Sequence, residues 1–225
     1  DEELMAAVAA RHAAGARLYV GTTNLDRGQF VVWDLGAIAS LGTEDALWMM
    51  RRVMLASASI PVVYPPVYFR HAGGDEMHVD GAVSRSMFLP QGIFDAQAAI
   101  DDLGMTWEAV DSTLYVIHNG CLRPEAEVVQ RETVDIATRS LLLMTYTAVM
   151  EHVQNLFLVS HLFGAEFRFL TIPDGAELML DSFDASDAEE LYQLGRGCML
   201  PEATWSEAPP RFLVTGELLR QSGNR

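Results

Sequence analysis

The sequence predicts an α/β fold with a central, mainly parallel sheet and helices on both faces. Three observations carry that reading: a helical opening that feeds straight into a strand, a continuous apolar strand segment in the middle of the chain, and a long helical stretch able to pack on a sheet. With 225 residues, half of them hydrophobic, the chain can bury a substantial core, and one domain is the expected count.

Residues 1 to 14 place acidic side chains in a first turn, then abundant Ala, then Gly15, which are the start and stop signals of a helix. A strand follows from Arg17 ("RLYVGTTNL"), and a second at Gln29 ("QFVVWDL"). Glu44 and Asp45 open a Met-rich helix that Pro61 is expected to end. The segment "PVVYPPVYFR" is extended or turned, because Pro65 and Pro66 have no N–H to give a central strand. "PQGIFDAQAAIDDLG" reads as a helix or an irregular loop, and "STLYVIHNG" as a buried strand ending at Asn119 and Gly120. Glu125 to Phe163 reads as largely helical. Arg139 and Glu151 there bracket only eleven uncharged residues, short of the roughly 20 that span a bilayer, so no transmembrane segment is expected. "EFRFLTI" is a further strand with Phe167 and Phe169 on one face. "SDAEELYQLGRG" is a helix with Ser186 and Glu189 as a capping box. Residues 201–225 read as an irregular tail, with "TGELLRQSGNR" as one short terminal helix.

Composition excludes several functions. A formal charge of −16 repels nucleic acid and disfavours adsorption to anionic membranes by charge alone. All 15 basic residues are arginine, which removes Schiff-base chemistry, pyridoxal phosphate attachment and the Walker lysine. Cys121 and Cys198 are too far apart in sequence for a CxxC pair; two buried thiols are expected, with a disulfide as the alternative. The chain opens on Asp1 without a signal-peptide pattern and reads as a processed, truncated or incompletely represented polypeptide. The acidic run "DGAELMLDSFDASDAEE" lacks EF-hand spacing, and no metal or other cofactor is expected.

The chemistry centres on "EMHVDGA". Alternation puts Glu76, His78 and Asp80 on one side of a strand, which is either a metal-ligand set or the polar face of an edge strand that turns at Asp80-Gly81. Ser57 and Ser59 in "ASASIP" are the nearby hydroxyls. His118 falls at a strand end, and His152 and His161 lie on an apolar helix. Trp33, Tyr64, Tyr68 and Phe69, with Met49, Met50 and Met54, suit either an acyl pocket or an ordinary core.

"RLYVGTTNLDRGQFVVWDLGAIA", "LASASIPVVYPPV", "HVDGAVSRS" and "LYVIHNG", in that order, resemble the C-terminal part of bacterial patatin-like phospholipases. The resemblance covers most of residues 1–225 and implies the C-terminal part of a single acyl hydrolase domain, a three-layer fold of which this chain supplies the later strands. It implies a lipid or acyl ester substrate and a Ser-Asp dyad, with Asp80 as the base and Gly81 and Ala82 completing the DG[GA] motif that supports the catalytic loop. The family's GxSxG elbow, which bears the nucleophile, does not occur in this sequence, so an upstream segment or separate fragment is the expected partner and the isolated chain is expected to be inactive. The alternative is a non-catalytic module of the same fold that binds a partner through an open sheet edge.

Overall fold

The computed structural model describes residues 1–61, 63–71, 73–89, 112–122, 126–172, 185–198 and 205–210. It divides into two compact units, Asp1–Ala98 and Ala99–Arg225.

In the first unit, α1 (Glu2–Ala13) starts at the Asp1 side chain, whose carboxylate accepts the Leu4 N–H at 2.8 Å. The strands β1 (Tyr19–Asn24) and β2 (Gln29–Asp34) follow, then the short α2 (Leu35–Ala39) and α3 (Glu44–Ser57). Thr43 caps α3 by accepting the Ala46 N–H, and the helix stops at Ser57, ahead of Pro61. β3 (Val67–His71) begins directly after Pro65 and Pro66, and β4 (Gly74–Asp80) leads into a 3₁₀ turn, Gly81–Val83.

These four strands form one sheet in the order β2-β1-β4-β3, and every pairing is antiparallel. The expectation of a mainly parallel sheet is therefore corrected for this unit. The physical reason is connection length: residues 25–28 join β1 to β2 and residues 72–73 join β3 to β4, whereas a parallel crossover needs a dozen residues or more. The edge-strand reading of "EMHVD" is corrected as well, since β4 is interior and paired on both sides. Opposed residues on antiparallel strands share a face, so the register puts Val20, Thr22 and Asn24 with Trp33, His78, Asp80 and Phe69. The helices α1, α2 and α3 bury their apolar residues on that face, around Leu35, Met50, Val53, Val67 and Phe69.

In the second unit, β5 (Thr113–His118) and β6 (Glu166–Thr171) pair in parallel, joined by a connection that contains α4 (Thr133–Leu162). α4 begins at Thr133 rather than near Glu125. It buries Val149, Val153, Leu156 and Ser160, spaced as one helical stripe, and sets Phe157 edge-on to Phe167 at 5.2 Å. Phe167 and Phe169 are both buried, on the same face of β6. At 30 residues α4 is long, but no helix among the described residues is both long and apolar enough to cross a membrane.

The last helix is α5 (Ala185–Cys198). Its Glu189 carboxylate accepts from the Gln193 side-chain amide one turn onward. Residues 205–210 include a single antiparallel bridge between Ser206 and Phe169. The expected helix or loop over "PQGIFDAQAAIDDLG", the acidic run before residue 185 and the terminal helix lie outside the described residues.

Candidate functional site

β4 carries three polar side chains inward, and β1 sets Thr22 and Asn24 beside them and Thr23 on the opposite face, all three buried. A polar run inside a strand requires partners, because a buried hydroxyl or amide left unpaired is costly. His78, only 1% exposed, has its Nδ1 at 2.9 Å from the Thr22 hydroxyl. The indole N–H of Trp33 donates to that same Thr22 oxygen at 2.8 Å. An indole can only donate, so the Thr22 proton is free to go to His78 Nδ1, which leaves the imidazole proton on Nε2. That nitrogen is buried without a hydrogen bond, 4.0 Å from a Glu76 carboxylate oxygen. Burial holds the His78 pKa below the usual imidazole value, against the opposing pull of Glu76 and Asp26.

Glu76 accepts from the Asn24 amide at 2.8 Å and pairs with Arg27. Glu76 and His78 are thus engaged within the protein. Among the described residues no group of three metal-ligating side chains converges.

Asp80 ends β4 opposite Thr22. Its backbone N–H donates to the Ser59 carbonyl at 3.0 Å, tying the strand end to the segment after α3. Its Oδ1 accepts the Ala82 N–H at 2.8 Å, while Oδ2 makes no hydrogen bond among the described residues. Partial burial raises the Asp80 pKa above the ordinary carboxylate value, and the Ala82 N–H opposes the rise. Gly81 is required by close approach: a Cβ there would lie 2.7 Å from the Gly21 carbonyl oxygen of β1. Ala82 contributes through its backbone, and its side chain is exposed. The turn is pinned from the other face of the sheet by the Thr23 hydroxyl, which donates to the Gly81 carbonyl at 3.3 Å and lies 2.8 Å from the Ser84 hydroxyl.

The remaining candidates separate. Ser59 is buried, and its hydroxyl donates to the Leu55 carbonyl at 2.8 Å, so it serves the end of α3 and holds Asp80 by its own carbonyl. Ser57 is the last residue of α3. Trp33 stacks on Phe69 at 4.9 Å, and Met50 is in the core with Met49 against it, whereas Met54, Tyr64 and Tyr68 are exposed. None of the seven lines the pocket beside α1 or the crevice at the ends of β5 and β6. In the second unit His118 lines a crevice of about 90 Å³ with Asn119 and Thr171 at the carboxyl ends of β5 and β6, and burial lowers its pKa. His152 is half-buried on α4. His161 is exposed there, packed on Phe157 at 4.2 Å rather than in a core. Cys121 is half-buried.

Thr22, Thr23, Asn24 and Ser84 are the site's supports that motif reading passes over. The signal for them is "TTN" itself, three polar residues closing an otherwise strand-like segment. No protein-family model matches this sequence, and no curated protein matches it significantly.

Proposed function

We propose that this chain supplies the base of a Ser-Asp acyl hydrolase of the patatin-like kind, acting on a lipid or simpler acyl ester. The observation that carries the reading is the state of Asp80: a half-buried carboxylate with one oxygen fixed by a backbone N–H and the other unengaged. An ordinary aspartate is a weak base at neutral pH; partial burial makes this one stronger, and the Ala82 N–H fixes its direction.

In this reading the serine and the oxyanion donors come from a preceding segment or a separate polypeptide, because GxSxG is absent here. The serine proton passes to Asp80 Oδ2 as the serine oxygen attacks the ester carbonyl. Collapse of the tetrahedral intermediate expels the alcohol, which takes that proton, and leaves an acyl-serine. Water then attacks the acyl carbon with Asp80 accepting its proton, releasing the carboxylic acid and restoring the serine. Neither step needs a histidine.

The test is Asp80→Asn in an enzyme reconstituted with a polypeptide that bears the GxSxG elbow, assayed on a chromogenic acyl ester. A fall in kcat of roughly 10²–10⁴-fold is expected, and full retention removes Asp80 from the mechanism. A second reading, a non-catalytic binding module, draws on the sheet edges: among the described residues β2 and β3 each have one unpaired side. Under that reading Asp80→Asn leaves partner affinity unchanged.

A further inference from the structure

We propose that His78 is an acid-sensitive latch: proton uptake by its imidazole opens the seam between β1 and β4 and loosens the Asp80 turn. The sheet consists of two hairpins, β1-β2 and β3-β4, joined where β1 meets β4. The hairpins pair over six and five residues of each strand. The seam is shorter: it pairs Thr22 with Asp80, Thr23 with Val79 and Asn24 with His78, and adds one backbone bond from the Leu25 N–H to the Met77 carbonyl at 2.9 Å. Asp80 and its turn belong to this seam, because Thr22 opposes Asp80 and the Thr23 hydroxyl donates to the Gly81 carbonyl.

The hydrogen bonds across the seam suit a neutral imidazole. Thr22 takes a donor from the Trp33 indole and gives its own proton to His78 Nδ1. A proton on Nδ1 sets two donors against the Thr22 oxygen and leaves the Thr22 proton without its acceptor. Nε2 is buried without a hydrogen bond, and the Trp33 and Phe69 rings close on the imidazole at 5.8 and 4.8 Å. A charge at this position has exchanged water for two rings and a hydroxyl.

The charged groups around His78 are Glu76 at 4.0 Å and Asp80 on β4, Asp26 and Arg27 in the β1-β2 turn, and Arg52 on α3, whose guanidinium lies over the Phe69 ring at 5.7 Å. From β1, β2 and β3 it meets Thr22, Trp33 and Phe69, none of them charged. Glu76 and Asp26 favour the proton, but burial outweighs both and holds the imidazole pKa below its usual value. An open seam returns His78 to water, where it takes a proton near pH 6.5 as an ordinary imidazole does, at about that value. Stability of the closed seam from this group is therefore full above that pH and is lost as pH falls below it, until the folded pKa is reached. Asp80, with its raised pKa, acts in the opposite sense, so the comparison needs a variant that keeps Asp80.

The latch does not depend on Asp80 acting as a base, and its failure is separate from that of the acyl hydrolase reading. The test is hydrogen–deuterium exchange of the 225-residue chain at pH 7 and pH 5, read by mass spectrometry and corrected for intrinsic exchange rates. Peptides covering Tyr19–Asn24 and residues 74–83 are expected to lose protection by about fivefold or more at pH 5. In His78→Asn, whose side-chain oxygen can accept from Thr22 but does not titrate, the same peptides are expected to change by less than about twofold. Near-UV circular dichroism checks that the variant keeps its fold. A reading that needs no variant is the His78 pKa of the unaltered chain, followed by NMR of ¹³Cε1-labelled histidine and expected below the ordinary imidazole value. Unchanged protection at pH 5, an equal loss in the folded variant, or a His78 pKa at or above the ordinary value would each overturn the proposal.

Discussion

At the scale of the residue, Asp80 sets basicity against stability. Burial raises its folded pKa above the unfolded value, so its contribution to folding is most favourable below the normal carboxylate range and is lost as pH rises through the folded pKa. Asparagine at this position keeps an oxygen for the Ala82 N–H and has no charge to bury. Asp80→Asn is therefore expected to raise the Tm at pH 7, with the gain shrinking toward zero near pH 3. Thermal melts across that range check it, and a gain that stays constant with pH would show that the carboxylate charge is not its source. His78 illustrates the opposite placement: it is buried against Trp33 and Phe69 with Nδ1 engaged by Thr22, so its imidazole serves the fold between β1 and β4.

At the scale of the element, the decisive contact is between the turn after β4 and the backbone of β1. Gly81 sits there without a left-handed φ, so its requirement is purely steric: any Cβ meets the Gly21 carbonyl. Gly81→Ala is expected to cost about 1–3 kcal/mol, the usual penalty of overpacking where backbone must yield. Urea denaturation measures that cost, and the reconstituted enzyme should lose activity as well, because the Ala82 N–H that orients Asp80 moves with the turn. An unchanged midpoint would mean that β1 and the turn separate more easily than their hydrogen bonds suggest. Ala82, which acts through its backbone, tolerates other side chains on the same argument.

At the scale of the whole molecule, the first unit holds everything the Asp80 turn depends on: β1 and β4, the α3 end at Ser59, and a core built around Val53 and Phe69. A unit with its own hydrophobic core can in principle fold alone. The fragment Asp1–Ala98 is expected to unfold cooperatively on heating and to retain a near-UV signal from Trp33, which stacks on Phe69. A broad, non-cooperative melt would show that the core needs the remainder of the chain. The acid-rich composition acts at this scale too, since a formal charge of −16 surrounds the molecule with a negative field.

The sequence by itself determined what depends on neighbours along the chain. The helix starts marked by acidic first turns at Glu2 and Glu44, the strands around Val20, Val32 and Val116, the helix stop ahead of Pro61 and the alternation of Glu76, His78 and Asp80 all follow from short-range sterics and period. Asp80 and Gly81 were legible as a turn for the same reason. Only the tertiary structure decided which strands pair and in which direction, that β4 is interior, and that Gly81 faces the Gly21 carbonyl, because these depend on contacts between residues some 50 to 60 positions apart. The short links at 25–28 and 72–73 require antiparallel neighbours, but they become links only once the strand ends are fixed. The partners of Thr22, Thr23 and Asn24 are long-range in the same way, so a strand can announce that it buries polar groups without announcing what satisfies them.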